Sequence, residues 1–329
     1  MSGNINRRQF VKTSAAVSAG AVLGLSLEEK ALAAYQSKRS TAKTPVASGE
    51  DMPTGKIGSL KVSRLICGGN LISGHAHSRD LIYVSSLLRH YFTDEKVIET
   101  FQHCEENGIN SAVLRLDDHV IRIINKYWKD FGGKLQWIAQ VKAEQNDLTT
   151  DVKRAIDNGA KAVYLQGSVA DKFVKEDRVE LIGKFVEFIR EQGIVAGVGG
   201  HSINVPIAVE TAGIKADFFM KTLHSGNYWS ARRPEQLQDV VTNSADNYWS
   251  MTPKETIRFM EDVSKPWVAF KVLAAGAIHP KEGFKFAFEN GADFIVAGMF
   301  DFQVKEDASI AKKILAELAT TQRKRSWRG

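Results

Sequence analysis

Eight short apolar segments, each separated from the next by an amphipathic stretch, run through the chain between residues 65 and 296. Strands that alternate with helices form parallel sheets, and eight such units favour a closed (β/α)8 barrel over an open doubly wound sheet. A dinucleotide-binding open sheet is also disfavoured, because no GxGxxG opens a helix after the first strand. The predicted strands are Leu65–Cys67, Ser111–Leu114, Trp137–Ala139, Ala162–Leu165, Val195–Val198, Phe218–Met220, Trp267–Phe270 and Phe294–Val296. The sequence therefore predicts an α/β fold, a single (β/α)8 barrel.

Helix and turn signals support this alternation. Residues 93–108 and 177–193 are amphipathic and end in Gly, as helices often do. Residues 252–263 begin with Thr252, Pro253 and Glu255, the pattern of a capping box with Pro at the first helical position. Before the first strand, the Gly-punctuated residues 52–65 predict a short β-hairpin that plugs the bottom of the barrel.

The N-terminal 33 residues have the features of an export signal. Arg7-Arg8 precedes an uncharged run from Ser14 to Leu27, and Ala31-Leu32-Ala33 is a small-x-small cleavage site. The run is shorter than the ~20 residues that span a bilayer, so no stable membrane insertion is expected. The segment resembles twin-arginine signals, which implies the twin-arginine export machinery, a periplasmic or otherwise exported location, and a protein that folds before it crosses. We predict a signal peptide at 1–33, a flexible linker at 34–51 and the barrel domain at 52–329.

Charge and cysteine usage exclude some classes of protein. The net charge of +6 lies partly in a basic tail at residues 323–328, for which we expect a solvated end rather than a nucleic-acid site. Cys67 and Cys104 are the two cysteines, too few for a disulfide framework, and no CxxC metal pattern occurs. Cys67 falls within an apolar strand, which predicts a buried thiol.

Polar residues follow the predicted strands at the ends where the active sites of such barrels form. This set suits a hydroxylated or anionic small molecule. Its predicted substrate-binding members near the first four strands are Asn70, His77, Arg79, Arg115 and Gln166. Later strands end near His201, Lys221, His224 and Lys271, which we take as candidate catalytic residues.

The segment "MPTGKIGSLKVSRL" with "ICGGN", and later "ENGIN", resembles the start of aldo-keto reductases. That resemblance implies a barrel and, as an alternative function, an NADP-dependent oxidoreductase. The family's catalytic Asp falls near Val113 here and its His falls near Gln166, while Lys142 alone lies close to its expected place. The C-terminal phosphate-binding pattern of that family is also missing. The resemblance therefore supports the fold rather than the activity.

The segments "ADFFMKTLHSG", "AFKVLAAGAI" and "FENGADFIVAGM" resemble class I aldolases of the deoxyribose-phosphate aldolase type. The resemblance implies that Lys221 forms a Schiff base and that Lys271 is the second lysine beside it. Two departures weaken the match: the partner acid is absent, since Ala162 and Val163 lie where it is expected, and Ala277 replaces a Gly.

Physical chemistry allows three roles for Lys221. An amine attacks a carbonyl when neutral, and burial beside a second cation lowers the pKa of lysine. Lys221 follows Phe218-Phe219-Met220, and His224 is close enough along the chain to move protons. The alternatives are a charged lysine that binds substrate, or a structural lysine paired with an acid such as Asp117.

Two further features concern ligand binding. "NYWS" occurs at 227–230 and at 247–250, within an insertion that is long for such a loop, so Trp229 and Trp249 are candidates to cover the pocket. Gly276 and Gly298 lie in turns that resemble the phosphate-binding corner of many barrels.

The sequence thus favours an exported enzyme of carbonyl or sugar chemistry, an aldolase-like lyase that uses Lys221 for Schiff-base or proton-transfer chemistry. This hypothesis needs no cofactor. Besides the reductase, the alternatives are a metal-dependent sugar lyase or isomerase and a non-catalytic sugar-binding barrel. A metal would draw on His201, His224 and His77 with Asp117 or Asp246, although no metal-ligand spacing supports it. The expected partner is a small polar or sugar-like carbonyl compound.

Overall fold

Eight parallel strands close into a barrel in the computed structural model, which describes residues 51–75, 81–231, 249–321 and 323–329. The predicted (β/α)8 fold is confirmed. The barrel strands follow one another in chain order, and the last pairs with the first. They are β3 (Leu65–Gly68), β4 (Ser111–Arg115), β5 (Gln136–Val141), β6 (Ala162–Leu165), β7 (Val195–Gly200), β8 (Phe218–Thr222), β9 (Trp267–Phe270) and β10 (Phe294–Gly298).

Helices surround the barrel and agree closely with the sequence prediction where one was made. They are α1 (Val84–Tyr91), α2 (Asp94–Glu106), α3 (Asp118–Phe131), α4 (Thr150–Asp157), α5 (Gly167–Lys175), α6 (Val179–Glu191), α7 (Asn204–Thr211), α8 (Pro253–Asp262), α9 (Pro280–Glu289) and α10 (Val304–Ala319). Pro253 begins α8 as predicted, but the Thr252 side chain accepts no capping hydrogen bond. Within the described residues, no helix combines the length and the apolar character that a membrane span requires.

A two-stranded antiparallel hairpin precedes the barrel, as predicted. It consists of β1 (Thr54–Ile57) and β2 (Leu60–Ser63). Ile57 and Val62 are fully buried and belong to the cluster that fills the barrel interior. Gly58 turns the chain at φ +58°, and a Cβ there would lie 2.8 Å from Val195 Cγ2 at the start of β7. The hairpin therefore closes the N-terminal end of the barrel, opposite the strand ends that carry the candidate site.

Side chains along each barrel strand alternate between two layers, which decides where a strand-end residue points. On β8, Phe218 and Met220 lie in the interior cluster, whereas Phe219 packs in the outer cluster with the helices. By this alternation Lys221 lies on the same side of β8 as Phe219, facing the helices. Its register partner on β9, Ala269, also belongs to the outer cluster.

The basic C-terminal tail packs against the barrel, contrary to the solvated end expected from its charges. Arg325 is buried and pairs at 2.5 Å with the fully buried Asp293, which also accepts from the Trp267 amide. The remaining Arg325 N–H groups donate to the main-chain oxygens of Met260, Gly291, Val263 and Lys265. A run of basic residues does not reveal from sequence that one of them has a buried acid as its partner.

Candidate active site

Lys221 lies at the end of β8 with its amine fully enclosed. The residue is 1% exposed, and Nζ lies 2.8 Å from the main-chain oxygen of His201. Two further acceptors belong to the next residue, Thr222 Oγ1 at 2.8 Å and Thr222 O at 3.2 Å. Three acceptors match the three N–H bonds of an ammonium. The amine of Lys221 is thus buried and hydrogen-bonded to the protein.

Two opposing effects set the charge of Lys221. Burial lowers its pKa to about 7, while the Asp171 carboxylate favours the charged form. A lysine with this pKa exists in both protonation states near neutral pH, unlike a surface lysine.

His201, which follows β7, is paired with an acid that sequence analysis did not identify. Its Nδ1 lies 2.7 Å from Asp171 Oδ2. A carboxylate can only accept, so Nδ1 carries the proton and Nε2 of the neutral ring keeps its lone pair. The Asp171 carboxylate also accepts from the main-chain N–H groups of His201 and Ser202. The ring is therefore held in one tautomer and one orientation.

The surroundings of His201 keep it neutral. Burial is the main cause that lowers its pKa to about 4, and the Lys271 and Lys221 charges lower it further against the opposing effect of Asp171. The ring lies against the start of α5, where a Cβ on Gly167 would come within 3.0 Å of His201 Cε1. Its other neighbour is the Phe270 ring, with centroids 5.3 Å apart.

His224 contacts both ends of the insertion that follows β8. Its Nδ1 lies 2.8 Å from Ser225 O, and its Nε2 accepts from the Ser250 main-chain N–H at 2.7 Å. Burial lowers its pKa to about 4. With both ring nitrogens in contact with main-chain groups, His224 is placed to hold residues 225 and 250 together.

Lys271 lies close enough to His201 and His224 to lower the pKa of each. It is the first of three non-glycine residues with positive φ after β9, at +60°, followed by Ala274 at +45° and Ala275 at +56°. Such conformations are unfavourable for residues with a Cβ and concentrate at functional sites. All four predicted catalytic residues, His201, Lys221, His224 and Lys271, thus lie at or just after the C-terminal ends of the adjacent strands β7, β8 and β9, with Lys221 on the outer side of β8.

The predicted substrate-binding residues of the early strands form a second group. Arg115 contacts His75 and pairs with Asp117 through Nε at 3.1 Å. Gln166 donates to Gln140 Oε1 at 3.4 Å. Asn70 is exposed, whereas His77 and Arg79 lie outside the described residues.

The two tryptophans of the insertion have different environments. Trp229 is 84% exposed, whereas Trp249 packs with Tyr228 against Ala274 and Ile278 of the turn after β9. Beside Trp249 lies a cavity of about 120 Å³ whose lining includes His224, Tyr228 and Met251. Of the second "NYWS" copy, Asn247 and Tyr248 lie outside the described residues.

The two glycines of the predicted phosphate-binding turns, Gly276 and Gly298, have different surroundings. Gly276 is exposed, and a Cβ added there would meet no atom within 4 Å. A Cβ on Gly298 would lie 3.1 Å from Leu71 Cγ. Among the described residues, no group of three or more His, Cys, Asp or Glu side chains is placed to hold a metal ion; His77 and Asp246 are not among them.

One feature of the sequence could have identified Asp171 as a functional residue. It lies on the buried face of α5, together with Gly167, Ala170 and Phe173. A carboxylate on the apolar stripe of an amphipathic helix is rare unless it has a partner. Its partner lies thirty positions further on, after the next strand, so spacing alone could not identify it.

Comparison with known proteins finds two kinds of similarity. The signal-sequence family described as TAT (twin-arginine translocation) pathway signal sequence matches residues 4–24. The chain thus carries a twin-arginine signal, which directs export across the membrane. No curated protein matches the sequence.

Solved structures share the barrel. A putative aldo-keto reductase from Pseudomonas aeruginosa matches with a TM-score of 0.55 and 16% identity, over 80% of this chain and 94% of that one. A glycerol dehydrogenase from Gluconobacter oxydans matches with a TM-score of 0.51 and 11% identity, over 82% and 97%. A protein described as an aldolase matches with a TM-score of 0.42 and 16% identity, over 71% and 94%, too low a score to support an argument. At these identities the similarity shows the fold alone.

Proposed function

We propose that this protein is an exported lyase of carbonyl or sugar chemistry that works by proton transfer, with His201 as the base. The observation that carries the proposal is the Asp171–His201 pair at 2.7 Å, which leaves the Nε2 lone pair available. An imidazole oriented by a buried carboxylate is a recurrent device for proton abstraction. Because burial lowers the pKa of His201 to about 4, the ring is neutral across the neutral range and Nε2 keeps its lone pair.

The two lysines supply positive charge beside this base. Lys221 donates to the main-chain oxygen of His201, and Lys271 acts electrostatically on the His201 ring. When a proton is removed next to a carbonyl, negative charge develops on the carbonyl oxygen. Cations at fixed positions in a site that excludes water stabilise such charge strongly. In this role Lys221 acts through its charge rather than by a direct hydrogen bond, since its three N–H bonds already meet acceptors of the protein.

The wider mouth of the barrel suits a hydroxylated or anionic carbonyl compound. Arg115 and Gln166 present N–H donors at the ends of β4 and β6. The exposed Gly276 leaves room beside main-chain groups, as a bound phosphate would require. Trp249 offers an aromatic surface next to His224. His77, Arg79 and Trp229 remain candidate ligand residues.

A second candidate mechanism is Schiff-base chemistry at Lys221. It is favoured by one observation: burial lowers the pKa of this amine to about 7, which supplies the neutral form that attacks a carbonyl. To react, the amine would have to give up its contacts with His201 O and Thr222. His224 would then act by positioning the insertion rather than by moving protons.

A reductase fits less well. Val113 lies in the apolar interior cluster, and Gln166 is an amide held by Gln140, so the positions expected for the catalytic Asp and His of aldo-keto reductases hold no proton donor. These residues do not fit the proton-donating arrangement that a nicotinamide-dependent reduction of a carbonyl needs.

Deuterium exchange separates these possibilities. The mature protein is incubated in deuterated water with dihydroxyacetone, dihydroxyacetone phosphate or pyruvate, and exchange at the carbon next to the carbonyl is followed by NMR. Proton-transfer chemistry predicts exchange that His201→Gln abolishes and that leaves no borohydride adduct. A borohydride-stable adduct on the peptide containing Lys221 would select the Schiff base. A shift of the melting temperature with any of these compounds, without exchange or adduct, would identify a binding protein.

A further inference from the structure

A row of polar side chains lies across three neighbouring strands, at the C-terminal edge of the apolar barrel interior. Arg115 on β4 is in register with Gln140 on β5, which is in register with Tyr164 on β6. Val113 and Ile138, two residues earlier on their strands, belong to the interior cluster, as does Tyr164 itself. Side chains two residues apart on a strand face the same way, so all three members of the row face the interior.

Hydrogen bonds connect this row to the start of α5, and they run in one direction. Ser168 Oγ donates to Gln166 Oε1 at 3.0 Å. Gln166 Nε2 donates to Gln140 Oε1 at 3.4 Å, and Gln140 Nε2 donates to the Tyr164 hydroxyl oxygen at 2.7 Å. Each amide thus accepts through its oxygen and donates through its nitrogen. The chain of bonds begins at the exposed Ser168 and ends at Tyr164, which is 2% exposed.

The Tyr164 hydroxyl, at the end of this chain, still has a proton to donate. A phenol both donates and accepts, and Gln140 uses its accepting side. Among the residues that the structure describes, none accepts a hydrogen bond from the Tyr164 O–H. The Phe218 ring, with centroids 6.2 Å apart, and Ile138 are apolar neighbours in the same cluster. Leaving a buried donor unsatisfied costs about 1–3 kcal/mol, so an oxygen that enters from the barrel mouth would be bound here.

We propose that Tyr164 is a specificity-determining residue, whose hydroxyl donates a hydrogen bond to an uncharged oxygen of a polyhydroxylated substrate. This inference rests on the proposed function for the reacting carbonyl and adds the group by which the rest of the substrate is bound. Gln140, Gln166 and Tyr164 are neutral, and Arg115 pairs through Nε with Asp117 at 3.1 Å. Neutral donors and acceptors suit the hydroxyl groups of a sugar better than a carboxylate.

The Tyr164 subsite lies near the proposed base. Gln166 is followed directly by Gly167, where a Cβ would come within 3.0 Å of His201 Cε1. Burial raises the pKa of the Tyr164 phenol, against the smaller effect of the Gln140 hydrogen bond. The hydroxyl therefore stays protonated and donates, and it does not compete with His201 for a proton. A substrate bound at Tyr164 through one oxygen can extend along Gln166 towards His201.

Isothermal titration calorimetry on the mature protein tests the subsite with two probes. Ribitol carries hydroxyl groups and no carbonyl, whereas pyruvate carries a carbonyl and no hydroxyl. Tyr164→Phe should weaken ribitol binding by about 10-fold or more and leave pyruvate binding unchanged, because a site built to bond a hydroxyl depends on that partner. Tyr127→Phe is the matched control: Tyr127 is 1% exposed, and its hydroxyl bonds Glu105 between α2 and α3. Equal ribitol affinity in wild type and Tyr164→Phe, equal losses for both probes, or no ribitol binding to the wild type would overturn the proposal.

A second variant tests the direction of the hydrogen-bond chain. In Gln140→Glu at neutral pH, the new carboxylate can only accept, so it takes the Tyr164 O–H for itself. Ribitol binding should fall as far as in Tyr164→Phe, although the tyrosine is still present. The melting temperature of each variant checks that the barrel remains folded. Ribitol affinity equal to the wild type in folded Gln140→Glu would overturn the proposal.

The outcome can be separated from that of the proposed function. If the wild type exchanges no deuterium with any carbonyl probe but loses ribitol affinity in Tyr164→Phe, the proton-transfer function fails and the Tyr164 subsite is supported. If deuterium exchange with dihydroxyacetone proceeds and is unchanged in Tyr164→Phe, while ribitol does not bind, the proton-transfer function is supported and the Tyr164 subsite is overturned.

Discussion

Lys221 donates a hydrogen bond from Nζ to the main-chain oxygen of His201 at 2.8 Å, and this bond joins the ends of two adjacent barrel strands. Because the His201 ring is itself bound to Asp171, the three residues form one connected buried network. Buried polar networks are stable when every member is satisfied, and the members depend on one another. Changes to Asp171 should therefore act through His201.

Asp171→Asn should reduce proton-transfer activity by about 10²-fold or more, within the range that general acid–base groups contribute. The amide no longer requires Nδ1–H as its partner, so the ring loses its fixed tautomer. The measurement is the rate of deuterium exchange, together with the ¹⁵N chemical shifts of the His201 ring, which report the tautomer directly.

Asp130→Asn is the matched control, since Asp130 is exposed at the C-terminal end of α3, away from the barrel mouth. This variant should behave like the wild type. Retention of the Nδ1–H tautomer and of full exchange in Asp171→Asn would remove Asp171 from the mechanism.

His224→Leu should lower the free energy of unfolding by about 1–3 kcal/mol, because Ser225 O and the buried Ser250 N–H each lose a partner. Trp249, which adjoins Ser250, should report the change through its fluorescence spectrum. Urea denaturation followed by circular dichroism measures the stability. His90→Leu at an exposed position of α1 is the control. Equal stabilities of the two variants would show that His224 does not hold the insertion.

The barrel could be predicted from the sequence because the pattern of an apolar strand followed by an amphipathic helix occurs eight times. Each strand is a short apolar run with a clear boundary, and an error in one of them would not change the fold. The predicted strands differ from the observed ones mainly at the C-terminal end, where β7 continues through Gly199-Gly200 and β8 through Lys221-Thr222. At these positions the apolar pattern stops at a glycine or polar residue, although the strand continues to pair with its neighbours for two more residues.

The site was predicted less completely because its geometry depends on hydrogen bonds between residues of different elements. His201, Lys221, His224 and Lys271 could be recognised as reactive residues at strand ends. Their partners could not, since hydrogen bonds across different elements leave no spacing rule along the chain. Asp171 on α5 is the clearest example.

Acidification should destabilise the fold between pH 6.5 and pH 4. His201 and His224 each have a pKa of about 4 when folded, against 6.5 when unfolded. In this window the unfolded chain binds protons at these two residues that the folded chain does not, so their contribution to stability is full above pH 6.5 and decreases as the pH falls. Asp307, whose pKa burial raises to about 7, opposes this decrease in part. The difference corresponds to about 3 kcal/mol for each residue.

Urea denaturation at a series of pH values measures this dependence. His224→Asn should make the decrease smaller by about 3 kcal/mol, since one of the two histidines that take up a proton on unfolding is removed. A free energy of unfolding that stays constant from pH 7 to pH 4.5 in the wild type would contradict the prediction.

Arg325→Ala should be the most destabilising of these changes, by about 3–5 kcal/mol, because it leaves the Asp293 carboxylate buried without its charged partner. It also removes donors from the main-chain oxygens of Met260 and Gly291. Arg325→Lys should be intermediate, since a lysine keeps the charge but cannot reproduce the fork of five N–H groups. Lys324→Ala is the matched control: its side chain is 86% exposed, so the loss should stay below about 0.5 kcal/mol. If both alanine variants unfold at the same urea concentration as the wild type, the tail contributes nothing to stability despite its contacts.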